Sequence, residues 1–354
     1  ELLRTRLDPI VTPRGIAGHV HSFAGTNAID ASMTYGSAIK GDCTTSGLTV
    51  DQSGYWVPQL YYKWRNGTYS VIQGHGLITY WFPDRGVDRE AGEAPVVVPD
   101  DFRMVAGDMN RDHFDFQNRS HNAVSFECWG PGITGRKCCD EWVWERAYIS
   151  RDPPGQSLTR KIFFPSCWNG VDSYKADNSH VTYPIQAGNP SNYENGKCPP
   201  GFKKMPSLFV ETLYTPKASL GPEYEWYPGC FVFSNGDNLG LSYHADWLNG
   251  FPKGLLVDVF NQCPKTFGDL STCPLLAPFI NKNKNCVVKG QIVNEPIGLD
   301  VPIAKLPGNN PEFNPSKARK MAAADYKETS KLITLDVTQG GGCVDRKCTD
   351  YKGP

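Results

Sequence analysis

The chain of 354 residues carries seven histidines. Two of them stand two residues apart in Gly18-His19-Val20-His21-Ser22-Phe23-Ala24-Gly25-Thr26-Asn27. Side chains at i and i+2 of an extended segment share a face. This spacing therefore sets two imidazoles side by side, with Gly18 and Gly25 leaving room for a close approach. Imidazole titrates near neutral pH and is the commonest metal ligand. The pair suits proton transfer or metal ligation; the plainer alternative is two core rings hydrogen-bonded to backbone.

A second stretch, 231–250, runs from an apolar strand into a loop that offers Asp237, His244, Asp246 and Asn249. His244 and Asp246 repeat the i, i+2 spacing. A carboxylate beside an imidazole fixes its tautomer, raises its basicity or orients it as a ligand. Glycoside hydrolysis needs two carboxyl groups, about 5 Å apart for retention and about 6.5–9.5 Å for inversion, and Asp237 with Asp246 is the first pair to consider. In 206–214, alternation puts Glu211 on the face of Phe209 and Leu213. There its pKa would rise and it could serve as a general acid; a glutamate facing solvent from an edge strand is the plainer reading. A third stretch, 165–184, gathers Cys167, Trp168, Asp172, His180 and Tyr183 in a loop-rich segment suited to a binding-site wall.

The candidate catalytic set is thus His19, His21, His180, Glu211, Asp237, His244 and Asp246. Asn27, Trp56, Tyr61, Trp168, Asp172, Tyr183 and Trp247 are the candidate substrate contacts, because aromatic side chains commonly line ligand clefts. The leading expectation requires no cofactor. Its alternative is a divalent metal on His19, His21 and His244, since three histidines with an open position form a recognised catalytic arrangement.

These residues need a scaffold. Proline (28) and glycine (35) recur throughout and leave little room for long helices. Short β-branched and aromatic runs, bounded by Asn66-Gly67, Asn169-Gly170, Asn195-Gly196, Asn235-Gly236 and Asn249-Gly250, predict an all-β fold. A disulfide-stapled β-sandwich or jelly roll with long loops and a few short helices fits best. Residues 254–263 and 317–331 have helical patterns. One main domain is expected over 1–306, followed by an appendage over 307–354 with a linker, a short helix and a final cysteine pair.

Twelve cysteines without zinc-ribbon spacing read as up to six disulfides formed in an oxidising compartment. The sequons at Asn66 and Asn118 agree with a secreted glycoprotein, and the opening at Glu1 with a processed chain. A net charge of −1 gives no pull toward nucleic acid or anionic membrane. No apolar run reaches the ~20 residues of a membrane span. Walker A, GxSxG and HExxH motifs are missing from the sequence. A monomer meeting polysaccharide or oligosaccharide, with no nucleic-acid or membrane partner, is the expectation.

Taken in order, several motifs resemble a fungal secreted family catalogued as a domain of unknown function. They are 6–11 (RLDPIV), 18–21 (GHVH), 55–61 (YWVPQLY), 101–107 (DFRMVAG), 164–168 (FPSCW), 179–184 (SHVTYP), 206–208 (PSL), 233–237 (FSNGD) and His244-Ala-Asp246. Members sometimes carry WSC-type carbohydrate-binding modules. The resemblance implies an extracellular protein in a cell-wall or biomass context and assigns no reaction. The family usually has Cys-Trp-Asp-Gly where this chain has Cys167-Trp168-Asn169-Gly170, so Asn169 is left out of the candidate set. The leading expectation is a secreted glycoside hydrolase acting on fungal or plant cell-wall polysaccharide. Its alternatives are a metal-dependent or lyase-type polysaccharide-degrading enzyme and a non-catalytic carbohydrate-binding cell-wall protein.

Overall fold

The structure is a computed structural model. It describes residues 2–82, 94–129, 157–189, 192–194, 196–263, 269–282, 286–313 and 327–334, and the backbone of 343–344 and 347–348. In chain order the strands are β1 (Leu3–Thr5), β2 (His21–Gly25), β3 (Gly54–Pro58), β4 (Leu60–Lys63), β5 (Tyr69–Val71), β6 (Gly74–Phe82), β7 (Arg103–Gly107), β8 (Val124–Trp129), β9 (Ser157–Phe163), β10 (Cys167–Trp168), β11 (Val181–Thr182), β12 (Lys203–Lys204), β13 (Ser207–Tyr214), β14 (Phe231–Phe233), β15 (His244–Leu248), β16 (Gln291–Asn294) and β17 (Lys331–Thr334). A last pair, Cys343–Val344 with Lys347–Cys348, follows. The protein is all-β, as its alternating, turn-punctuated sequence predicts; described helices are short, and the longest is Leu255–Gln262, within the predicted 254–263. The helical pattern at 317–331 falls mostly outside the described residues, and at its end Lys331 begins β17.

Three antiparallel sheets build the body: β1-β2-β3-β15-β7, β6-β13-β9-β8 and β14-β4-β5. One face of the five-stranded sheet (Tyr55, Val57, Met104, Ala106, Ala245, Trp247) packs with Val124, Phe126, Leu158, Ile162, Leu208 and Val210 of the four-stranded sheet and with Leu60, Tyr62, Phe231 and Phe233 of the three-stranded one. Its opposite face (Phe23, Trp56, Val105, Leu248) is buried as well, under Leu2, Leu7, Ile10, Val288 and Ile292. Strands β2, β3 and β15 are therefore buried along their whole length, the pattern of a sheet covered on both sides. That leaves polar residues on these strands either hydrogen-bonded or functional.

The apolar, aromatic-rich stretch 55–64 forms two strands, β3 and β4. At Gln59 the chain leaves the five-stranded sheet and enters the three-stranded one. Gln59 is fully buried, and its amide accepts from Arg4 Nε (2.9 Å) and Ser22 Oγ (2.6 Å) and donates to Leu60 O (2.5 Å) and Ile72 O (3.0 Å). All four hydrogen-bonding positions of the amide are thus used.

Disulfides join Cys43 to Cys286, Cys167 to Cys198 and Cys263 to Cys273. Cys230 is a buried free thiol, so the upper figure of six bridges is not reached. The tail docks on the body. β17 pairs with β16, and Glu328 takes Arg6, buried from the other side by Glu295 (Nε to Oε1, 2.6 Å; Nη1 to Glu328 Oε2, 2.6 Å). Among the described residues no helix is long and apolar enough to cross a membrane.

Candidate metal centre

The register of the five-stranded sheet builds the site. His21 pairs with Pro58, and Asp246 pairs with Trp56, so two residues further along the antiparallel strand His244 stands level with Pro58. His21 and His244 thus flank β3 in one row and on one face. The row beside it is Phe23, Trp56, Asp246 and Val105. His19 reaches the same point from just before β2. The carbonyl of Val20, between the two histidines, is pinned by Gln59 N–H (2.9 Å) and Ser234 Oγ–H (2.6 Å).

The three rings converge. His19 Nε2 lies 3.2 Å from His244 Nε2, and His21 Nε2 lies 3.3 Å from the same atom. One ligand atom from each histidine fits within 4.8 Å of the others, and all three side chains are buried. His21 Nδ1 is 2.7 Å from Leu7 O, and His244 Nδ1 is 2.8 Å from Ser242 O. A carbonyl can only accept, so both Nδ1 atoms carry the proton and both Nε2 atoms present lone pairs to the centre. Lone pairs facing one another at 3.3 Å repel unless a cation lies between them. The separation matches the ~3.3 Å edge of a tetrahedron with Zn–N bonds of about 2.0–2.1 Å. Burial pushes the His21 imidazole down to about 4, against the opposing pull of the Leu7 carbonyl, so this ring is neutral at physiological pH.

Two carboxyls accompany the imidazoles. Asp246 is buried one row away, and neither of its oxygens has a hydrogen-bond partner; burial raises its pKa well above the ordinary range, and Asp8 adds to the rise. Asp8, also buried, accepts from Val11 N (2.9 Å) and Ile10 N (3.2 Å). Its pKa is raised by burial and pulled back by those amides. Among the described residues neither carboxyl has an ion-pair partner. Asp8 escapes sequence reasoning because Asp-Pro reads as a turn; only its burial marks it. Across the sheet, Gly107 faces His244 with φ +80°, where a Cβ would meet Tyr243 O at 2.4 Å. Glycine is required there for the two strands to approach. On the His19 side, Asn310 Nδ2 donates to Gly18 O at 2.7 Å, and Gly308 (φ +79°) packs against the same carbonyl.

The remaining candidates lie elsewhere. Asp237 holds its own loop: Oδ1 accepts from Leu239 N and Gly240 N, and Oδ2 from Ser242 N and Ser242 Oγ. His180 uses both nitrogens, with Nε2–H on Arg103 O (2.9 Å) and Nδ1 taking Lys175 N–H (3.3 Å). Glu211 faces away from the large core, with Lys161 at 3.1 Å and Tyr80 O–H at 2.9 Å. Trp56, Tyr61, Trp168, Tyr183 and Trp247 are buried. Trp56 stacks on Phe23 at 5.3 Å and Trp247 packs edge-on to Trp81 at 5.1 Å, so these rings present no face to a sugar. Tyr183 O–H is spent on Phe163 O. Asn27 ties Asp42 N to Val287 O beside the Cys43–Cys286 bridge. Asp172 accepts from Asn169 Nδ2 (2.8 Å). Asn169 Oδ1 in turn caps Val171 N and Asp172 N, a turn role that aspartate fills equally well.

Fold and site together define a disulfide-bonded all-β protein with a buried tri-histidine cluster between sheet rows. Over residues 8–251 the chain matches the family described as Domain of unknown function (DUF1996). The match covers more than half of the chain and includes all three histidines, Asp8 and Asp246. The chain belongs to this family. No curated protein and no solved structure matches it.

Proposed function

We propose that this protein is an extracellular metal-dependent enzyme acting on cell-wall polysaccharide, with His19, His21 and His244 holding one divalent cation. The observation that carries the reading is the convergence of three buried Nε2 atoms, two of the contacts being 3.2 and 3.3 Å. Charge complementarity supports it: histidine binds a metal as the neutral imidazole, and the acidic side chains of Asp8 and Asp246 lie buried beside the three rings with no cationic partner among the described residues. Backbone carbonyls on two of the three Nδ1–H groups are the outer-shell partners that orient metal-bound histidines. A divalent ion with three histidine ligands keeps an open position and supplies Lewis acidity there. The chain contributes orientation of the ligands, exclusion of bulk water and two acidic groups next to the reacting volume.

A hydrolase using Asp237 and Asp246 as its carboxylate pair has less support, because both Asp237 oxygens are saturated by its own loop. The extracellular part of the reading rests on the disulfides and on two sequons whose asparagines are exposed, Asn66 in a turn and Asn118 at the N-cap of a short helix. The polysaccharide part rests on the carbohydrate-binding modules that accompany members of the resembling family.

Elemental analysis of the purified protein tests the centre, with one divalent ion per chain expected. A polysaccharide panel read by product mass spectrometry, with and without chelator, tests the chemistry. New products that vanish on chelation and return with metal are the expected result. Protein that binds no divalent ion by titration overturns the reading.

A further inference from the structure

Arg160, on β9, is fully buried between the four-stranded and three-stranded sheets. Its guanidinium lies over three aromatic rings, with Cζ 4.2 Å from the Tyr214 centroid, 4.6 Å from Phe233 and 4.9 Å from Tyr243. Nη1 donates to Pro58 O at 3.3 Å. Among the described residues Nε and Nη2 have no hydrogen-bond partner and no carboxylate pairs with this cation.

The position of the two unmatched donors is informative. Nε–H and Nη2–H lie on one edge of the guanidinium and point in parallel, forming the fork that grips a carboxylate or phosphate. Arg6 in this same chain shows the fork filled: Nε donates to Glu295 Oε1 at 2.6 Å and Nη2 to Glu295 Oε2 at 2.8 Å. At Arg160 the fork meets no acceptor among the described residues. The hydroxyl of Tyr214 is likewise buried with no partner among the described residues, those of Thr212 and Tyr243 lie beside one another, and Thr212 stands directly opposite Arg160 in the β9–β13 register. Ring faces attract the cation but leave its edge unmatched. A buried charge without a counter-charge, beside several unmatched donors, is a costly combination.

We propose that the fork of Arg160 holds a small monovalent anion in the core between the sheets, with the hydroxyls of Tyr214 and Tyr243 as further donors. The class is a halide or a compact oxyanion such as formate; one negative charge neutralises the guanidinium, and both accept from several donors at once. The site lies on the opposite side of the five-stranded sheet from the histidine cluster and does not depend on the metal reading.

The test uses the intact protein at constant ionic strength, in gluconate, chloride, bromide or formate. A ligand that binds only the folded state raises the melting temperature saturably, and a rise of about 5 °C is expected for a well-filled site in a protein of this size. Crystals grown in bromide should show anomalous density at the fork; formate density in formate crystals would assign the oxyanion instead. Arg160→Met should abolish the anion dependence. Should that variant not fold, Tyr243→Phe and Tyr214→Phe, which keep the rings, should weaken the dependence several-fold. Water alone at the fork in both crystals, with one melting temperature in all four salts, overturns the proposal.

Discussion

His21 and His244 face each other across Pro58 with their Nε2 atoms 3.3 Å apart, although 223 residues separate them in the chain. Each ring is oriented by a backbone carbonyl, Leu7 O for His21 and Ser242 O for His244. Both tautomers are fixed before anything binds.

Removing either ring tests the centre directly. His21→Ala and His244→Ala should each lower divalent-metal affinity by more than the 10–100-fold typical of losing an outer-shell partner. Isothermal titration with zinc reads this. Wild-type affinity in both variants would count against the cluster as a ligand set.

Asp237 separates scaffold from chemistry. Asp237→Ala strands three backbone amides and the Ser242 hydroxyl and should cost about 1–3 kcal/mol for each buried group left unsatisfied. Metal stoichiometry should survive in the fraction that folds. Denaturant unfolding and elemental analysis give the two readouts; unchanged stability would refute the loop-holding role.

The Arg6–Glu328 contact sets an acid response. Hydrogen bonds from Arg6 hold the Glu328 carboxyl down at about 2. A depressed carboxyl stabilises the folded state above its unfolded pKa of about 4.3 and loses that contribution as pH falls toward the folded value. Tail docking should therefore weaken between about pH 4.3 and 2, seen as faster amide exchange across β16–β17. Glu328→Gln should remove this step while leaving Arg6 paired with Glu295; an exchange profile identical to wild type would contradict it.

Cys43–Cys286 closes a span of 243 residues. Cross-links over long loops constrain the unfolded chain most, and by chain entropy this one is worth up to about 5 kcal/mol. Cys43→Ala/Cys286→Ala should lower the denaturant midpoint accordingly, more than loss of Cys263–Cys273, which spans 10 residues. Equal losses would point to local packing instead.

Much was legible in residue pattern. Turn pairs and β-branched runs gave an all-β chain, and Leu255–Gln262 emerged where apolar spacing put a helix. The i, i+2 spacings of His19-Val-His21 and His244-Ala-Asp246 flagged the residues that converge. The aromatics misled: Trp56 and Trp247 read as sugar platforms, yet both sit in a sheet whose two faces are covered, β3 and β15 being buried throughout. A run without polar alternation signals this, and abundant tryptophan obscured it.

By itself the sequence determined local periodicity, turn chemistry and the supply of imidazoles and thiols, because these depend on neighbours within a few residues. Tertiary structure alone decided that β15 pairs with β3 in the register that brings His244 level with His21, that Asp237 turns inward to its own loop, and that Arg160 is enclosed with no carboxylate among the described residues. Register is set by which faces can be buried against distant strands. A one-residue slip of β15 would send His244 to the opposite face of the sheet, and nothing within a few residues of His244 encodes that choice.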